Sequence, residues 1–389
     1  MSTPAPAPLR LAVVGCGVIG RLHAEVAAHS PDLEVVALID PYAPAAEAVA
    51  ARLAELGRPE PRVFGDLATA LAAGAIEGGA VEGSAVDVVA VCTLSGTHAA
   101  LAREALEAGV HVVVEKPLDV AMGPARALRE AAAARPGQVV AVISQHRHDP
   151  ASLAVHNALK AGRFGTVTSA VANIDWFRTQ AYYDSADWRG TWALDGGGAL
   201  MNQGVHTLDL LLWFLGEPVE VTAHTARLGH ERIEVEDVAV AILRFANGAL
   251  ATLHATTTAY PDLGVRLQVH GTDGSAVIAA DELVHFHARD AEGTGWESDQ
   301  VARELREAAV QGPEGAYANP HLTQWTDIAA AVREGRDPWV TLDDGLLALA
   351  TVRAVYLSAT LGRPVRVADV LDGVHDDQET RTGSTDSGA

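Results

Sequence analysis

The segment "LRLAVVGCGVIGRLHAEVAAH", residues 9–29, passes from a short aliphatic run into Gly15, Gly17 and Gly20 and then into an alanine-rich stretch with helical spacing. Strand, glycine turn and helix in that order leave few folds open, because the pattern is that of the first unit of a dinucleotide-binding sheet. Gly15 permits the tight turn, Gly17 lets the backbone approach a pyrophosphate, and Gly20 lets the helix pack closely on the strand. The helix N-terminus attracts the negative charge. Val18 and Ile19, inside the same turn, join the glycines as candidate cofactor contacts. A second run, "LEVVALID", ends in Asp40, twenty residues beyond Gly20. An acid there accepts hydrogen bonds from adenosine ribose hydroxyls and repels a 2′-phosphate, so NAD is the expected cofactor and NADP the alternative.

Further strand-like runs follow at "VDVVAVCT", "HVVVEK" and "VVAVIS", separated by helical patterns such as "THAALAREALEAG" and "PARALREAAAA". This alternation predicts an α/β domain with a parallel sheet, and the glycine-rich "GAIEGGAVEGSA" reads as a surface loop within it. Ligands gather at the carboxyl ends of such strands. Thr93, His98, Glu115 and Lys116 all fall there, and Lys116 is held between an acid and a proline that fixes the local backbone direction.

With 389 residues, 49% of them hydrophobic, the chain can bury a large core and is long enough for two domains. Two cysteines, Cys16 and Cys92, are too few for a disulfide framework and suggest a reducing cytoplasm. A formal net charge of -22 argues against nucleic acid or an anionic membrane as partner. No leader-like start and no run of about eighteen uninterrupted apolar residues points to export or membrane spanning.

After "QHRHDP" the pattern changes. From about residue 217 strand-like runs dominate, joined by turn signals such as "ANG" and "GTDG", which predicts a mainly antiparallel sheet with one open face. The expected boundaries are 9–145 for the dinucleotide-binding domain and 146–370 for a substrate-binding and oligomerisation domain. Residues 1–8 and 371–389 are expected to be disordered. Before the strands stands "DGGGALMNQGVHTLDLLLWFLG", which reads as one helix over 196–215 stopped by Gly216. On that helix Asn202, His206 and Asp209 share a face, and the glycines give clearance for a ligand or another surface. The preceding loop adds Tyr183, Trp188 and Arg189, rings for a sugar's C–H surface and a guanidinium for a carboxylate or phosphate. Arg147 and His148 are weaker candidates. The two histidines of "HFH" at 285–287 lack a placed third ligand, and no metal site is expected.

Together "GCGVIG", the "EKP" of 115–117 and "GGGALMNQGVHTLD" resemble the Gfo/Idh/MocA oxidoreductases, and the resemblance extends over about residues 9–370. It implies a Rossmann domain followed by an α/β domain with an open, mainly antiparallel sheet, often used for homodimer or homotetramer contacts. It also implies hydride transfer between nicotinamide and a carbon bearing a hydroxyl or carbonyl on a sugar, cyclitol or related polyol. Mapped onto this chain, the catalytic residues would be His206 as general base, Lys116 steadying the developing alkoxide, and Asn202 orienting the imidazole or the hydroxyl. Arg147, Tyr183, Trp188, Arg189 and Asn202 would line the substrate. Many family members carry aspartate four residues before the histidine, where this chain has Asn202, an amide that orients without adding charge. Reduction of a keto-sugar or nucleotide sugar, and a non-catalytic dinucleotide sensor, are the competing readings.

Overall fold

The computed structural model describes residues 6–73, 86–310 and 319–380. The expected surface loop "GAIEGGAVEGSA", together with residues 1–5 and 381–389 of the two ends, lies outside the described residues. Residues 372–380 follow the short helix Val367–Leu371 as turns, and the Arg353 guanidinium reaches the Thr380 hydroxyl at 3.2 Å. The chain divides into two compact units, one of Met1–Gln145 with Tyr317–Gly345 and one of His146–Ala316 with Leu346–Ala389.

The first unit is built on a parallel sheet of β1 (Leu9–Val14), β2 (Leu33–Ile39), β3 (Arg62–Phe64), β4 (Val88–Val91), β5 (His111–Val114) and β6 (Val140–Val142), in the order β3-β2-β1-β4-β5-β6. Strands such as β4 are buried at every position, as a sheet covered by helices on both faces requires. The strand order reverses between β1 and β4, so the turns after these two strands open the crevice where such sheets bind ligands.

One segment departs from the expected boundary. The helix Pro320–Glu334, placed by sequence in the second domain, packs into the first unit through fully buried Trp325 and Ile328. Its Gln324 side chain accepts from Ser144 N at 3.1 Å and donates to Val142 O at 2.9 Å, so an amide completes the hydrogen bonding at the β6 edge. Local periodicity cannot reveal such a return, because a helix with one apolar stripe fits either core.

The second unit carries a nine-stranded sheet: β7 (Val167–Asp175), β8 (Pro218–Ala226), β9 (Val238–Phe245), β10 (Leu250–Thr256), β11 (Gly264–Gly271), β12 (Gly274–Ala279), β13 (Glu282–Arg289), β14 (Trp296–Ser298) and β15 (Val365–Arg366). Its order is β14-β13-β12-β11-β7-β10-β9-β8-β15, and β7 with β10 is the parallel pair in an otherwise antiparallel ladder. In β9 alternate residues Ala239, Ala241, Leu243 and Phe245 are buried, while Val240 and Ile242 stand 48% and 56% exposed on the open face. The helix Leu342–Leu361 is long and apolar enough to cross a membrane, yet 67% of its apolar window is buried, as in a core helix.

Candidate active site

In the first unit the three glycines separate into two roles. A Cβ on Gly15, whose φ is +91°, would lie 2.6 Å from Cys92 O, and one on Gly20 would lie 1.8 Å from Gly15 O, so both are glycine because the chain itself fills the space. A Cβ on Gly17 would meet nothing within 4 Å. Gly17 is also the N-cap of the helix Val18–His29, and no side chain caps that end. First-turn N–H groups therefore face open space beside a residue without a side chain, the arrangement that a pyrophosphate fills. Val18 is 92% exposed at this end and Ile19 half-buried.

Asp40 directly follows β2, and its carboxylate accepts from Cys16 N at 2.7 Å and from Tyr42 N at 2.8 Å. Each oxygen keeps a second lone pair, so the carboxylate ties the glycine turn to β2 and can still receive ribose hydroxyls. Burial pushes the Cys16 thiol up to about 12, leaving it an inert apolar group here.

The segment Glu115–Pro117 follows β5. Glu115 is buried; its Oε1 accepts from His23 Nε2 at 2.8 Å and its Oε2 from the Lys116 backbone N–H at 2.9 Å. Trp325 Nε1 donates to His23 Nδ1 at 2.9 Å. An indole N–H only donates, so His23 Nδ1 is bare and its proton sits on Nε2, aimed at Glu115. Burial works to raise the Glu115 pKa, but the His23 hydrogen bond and the Lys116 charge outweigh it and hold the carboxyl at about 2. Glu115, proposed from sequence as a cofactor contact, is thus a fixed anion steering the backbone of Lys116, whose side chain is half-buried. His23, Glu115 and His321 gather ligand-type atoms within 4.8 Å of one another, but both nitrogens of His23 are already hydrogen-bonded.

His98 is likewise built into the scaffold. It is 2% exposed, with Nδ1 at 2.8 Å from Pro117 O and Nε2 at 3.0 Å from Thr93 O, which pins the turn after β4 to the turn after β5. Its ring is spent on that bracing rather than turned to a ligand. Thr93 is half-buried, its hydroxyl 2.8 Å from that of Thr97.

In the second unit the single helix expected over 196–215 is replaced by a π-helical turn, Ala199–Gly204, running into the α-helix Val205–Leu215, which stops at Gly216 as expected. The reason is Glu236, fully buried beside the glycines. Its carboxyl accepts from Gly198 N, Leu200 N and the Tyr356 hydroxyl, each at 2.9 Å, and the chain wraps around it. A Cβ on Gly198 would lie 1.8 Å from Glu236 O and one on Gly197 2.2 Å from the Tyr356 hydroxyl. Of the two uses expected from sequence, approach of a ligand or of another surface, Gly197 and Gly198 serve the second, and the surface is the protein's own. Burial raises the Glu236 pKa to about 7 despite its three donors.

The shared polar face also dissolves. Asp209 is 6% exposed and paired with Arg147, which donates from Nε at 2.8 Å and from Nη2 at 2.6 Å. Arg147, 4% exposed and with its Cζ 5.5 Å from the Trp213 ring, is a structural clamp and not an open substrate contact. His206 is half-buried, and its ring lies edge-on to His146 with centroids 5.1 Å apart. His146 Nδ1 stands 2.7 Å from Asp149 Oδ2 and 3.5 Å from Asp281 Oδ1. Asn202 donates from Nδ2 to Asp195, whose other oxygen accepts from Gly190 N at 2.8 Å. The charge that the resemblance expects at position 202 thus stands behind the amide, on Asp195.

Tyr183 is core: 6% exposed, packed on Ile233 and Val235, and hydrogen-bonded to the Thr257 hydroxyl at 2.9 Å. Trp188 and Arg189 are half-buried and in contact, the guanidinium carbon 4.4 Å from the ring. His285 pairs with Asp299 and His287 with Ser298, so the "HFH" histidines serve the β13 surface. His146, Asp195, Glu236, His23 and Trp325 went unremarked in sequence. The one available signal was "VEDVAV", two acids opening an apolar strand run.

Residues 9–144 match the oxidoreductase family with an NAD-binding Rossmann fold, and residues 152–277 match the GFO/IDH/MocA C-terminal domain. The chain is 28% identical to the D-apiose dehydrogenase of Paraburkholderia graminis, covering 92% of this chain and 89% of that one. It is 27% identical to the inositol 2-dehydrogenase of Rhizobium meliloti, covering 92% and 99%. The WlbA dehydrogenase of Bordetella pertussis, solved with NADH and UDP-GlcNAcA, superposes with a TM-score of 0.76 at 30% identity, over 92% of this chain and 98% of that one. Rossmann turn, Glu-Lys-Pro segment, antiparallel sheet and both family matches agree: the chain belongs to the Gfo/Idh/MocA oxidoreductase family.

Proposed function

We propose that this protein is an NAD-dependent dehydrogenase acting on a secondary hydroxyl, or in reverse a ketone, of a sugar, cyclitol or sugar derivative. The observation that carries the reading is the division among the turn glycines: Gly15 and Gly20 are closed by backbone, and Gly17 alone leaves open space at an uncapped helix end. A dinucleotide whose pyrophosphate is held there would supply hydride acceptance and donation through its nicotinamide. The chain's residues supply the rest. His206 takes the hydroxyl proton during oxidation and returns it during reduction, a task suited to an imidazole near neutral pH. Lys116 donates a hydrogen bond to the oxygen as charge develops on it. Asn202, held by Asp195, is a positioning residue. Gly17, Val18, Ile19 and Asp40 serve the cofactor directly, while Gly15, Gly20, Thr93, His98 and Glu115 shape the turns that hold it.

Similarity to the WlbA dehydrogenase supports a second reading, in which the substrate is a nucleotide sugar. We further propose assembly as a homodimer or homotetramer through the open sheet face, where Val240, Ile242 and Leu250 are 48%, 56% and 52% exposed. The two buried thiols suit a reducing cytoplasm.

The test is absorbance at the nicotinamide band with a panel of myo-inositol, D-apiose, levoglucosan and UDP-GlcNAcA. Turnover that disappears in Lys116→Ala supports the assignment; full activity in that variant overturns it. Cofactor binding without turnover across a broad panel favours the sensor. Thermal shift separates the cofactors, since a ligand at a hundredfold its Kd stabilises by about 2.7 kcal/mol. A shift with NADP and none with NAD would overturn the reading of Asp40.

A further inference from the structure

We propose that the sugar substrate carries an oxyanion, a carboxylate or a phosphate, read by Arg178 and Arg189. The proposal rests on the dehydrogenase reading for the chemistry and adds the charge of the substrate. Arg178, just after β7, was not singled out by sequence.

The two guanidiniums belong to one network. The Arg178 Cζ lies 4.4 Å from the Trp176 ring and 5.5 Å from the Tyr182 ring. The Arg189 Cζ lies 4.4 Å from Tyr182 and 4.4 Å from Trp188. Arg178 Nη2 donates to Gln203 Oε1 at 3.1 Å, Gln203 Nε2 donates to the Tyr182 hydroxyl at 3.3 Å, and Arg189 Nη1 donates to that same hydroxyl at 2.8 Å. Gln203 stands three residues before His206 on the continuous helical stretch formed by Ala199–Gly204 and Val205–Leu215, so the network reaches to within one turn of the candidate base.

Every hydrogen-bond acceptor these arginines use is neutral: Phe177 O, Gln203, Ser185 and Tyr182. Among the described residues neither guanidinium makes an ion pair. Acids are abundant in this chain, 50 against 28 basic residues, and Arg232 takes the loop's own Asp184 at 2.7 Å. Stacking on aromatic rings holds a guanidinium plane in place without neutralising it, and each guanidinium keeps N–H donors beyond the two used in these bonds for a planar or tetrahedral oxyanion. Both residues are half-buried, so water screens the pair less than it would at an open surface. A neutral sugar would offer neither guanidinium a counter-charge.

The experiment is calorimetric titration of the NADH-loaded protein with matched probes: D-glucuronate against D-glucose, glucose 6-phosphate against glucose, and UDP-GlcNAcA against UDP-GlcNAc. The expected result is about a tenfold or greater preference, in at least one pair, for the member that carries the added carboxylate or phosphate. That preference should shrink with added salt and fall toward one in R178Q/R189Q, with R189K intermediate. The preferred arm tells carboxylate from phosphate. Equal affinity within all three pairs, or a preference unchanged in a double variant with native circular dichroism, overturns the proposal. If the double variant does not fold, R189Q alone is judged by the same ratio. Binding is read without turnover, so failure of the dehydrogenase reading shows separately, as binding with no absorbance change on any sugar.

Discussion

Arg147 grips Asp209 with two parallel N–H bonds, Nε to Oδ2 at 2.8 Å and Nη2 to Oδ1 at 2.6 Å, and both side chains are buried. The clamp joins the short 3-10 turn Gln145–His148 to the helix Val205–Leu215, and so holds the His146 ring against His206. Arg147→Met should cost about 3 to 5 kcal/mol, because it strands a buried carboxylate. Adding Asp209→Leu should recover most of that loss. Thermal unfolding of the two variants decides it; equal destabilisation of single and double would mean that the ion pair is not what holds the turn.

Glu236 gives the protein an unusual pH signature. Its folded pKa, about 7, exceeds the ordinary 4.5, so the folded state prefers the protonated form. The stabilisation is complete below the unfolded value and is lost as pH rises through the folded one, a change of about 3 kcal/mol between roughly pH 4.5 and pH 7. Glu236→Gln should flatten this part of the stability profile in urea unfolding followed across pH. An unaltered slope would show that another group carries it.

The chain Trp325 to His23 to Glu115 makes a tautomer prediction. Nitrogen-15 spectra of the His23 imidazole should show the proton on Nε2 alone in the native protein. Trp325→Phe removes the indole donor, and should cost about 1 to 3 kcal/mol by leaving a buried acceptor unpaired. The Nε2 tautomer is expected to survive it, because the Glu115 carboxylate still accepts from Nε2. A proton that moves to Nδ1 in this variant would show that the indole, and not Glu115, sets the tautomer.

His206→Ala should lower kcat on an accepted substrate by about 10²- to 10⁴-fold, the usual worth of a general base. NAD affinity, measured by titration, should stay within about threefold, since the pyrophosphate turn contains no part of that helix. A large loss of NAD affinity with kcat preserved would reassign the histidine.

What the sequence determined was whatever depends on local spacing: the strand, glycine turn and helix around Gly15–Gly20, the acid at Asp40, the Glu-Lys-Pro segment after β5, and the change from parallel to antiparallel strands. These follow from backbone sterics and hydrophobic period, which act over a few residues. The tertiary structure decided which polar residue meets which. Asp209 stands a turn from His206 and by helical spacing shares its face, but buried Arg147 claims it. The glycines looked like clearance for a ligand or another surface, and the fold chose the surface: Glu236, almost forty residues on, fills the space at Gly198, and Tyr356, further still, that at Gly197. Trp325 reaches His23 across 302 positions of sequence. A buried polar group must be answered by whatever the fold brings alongside, and sequence proximity does not fix that choice.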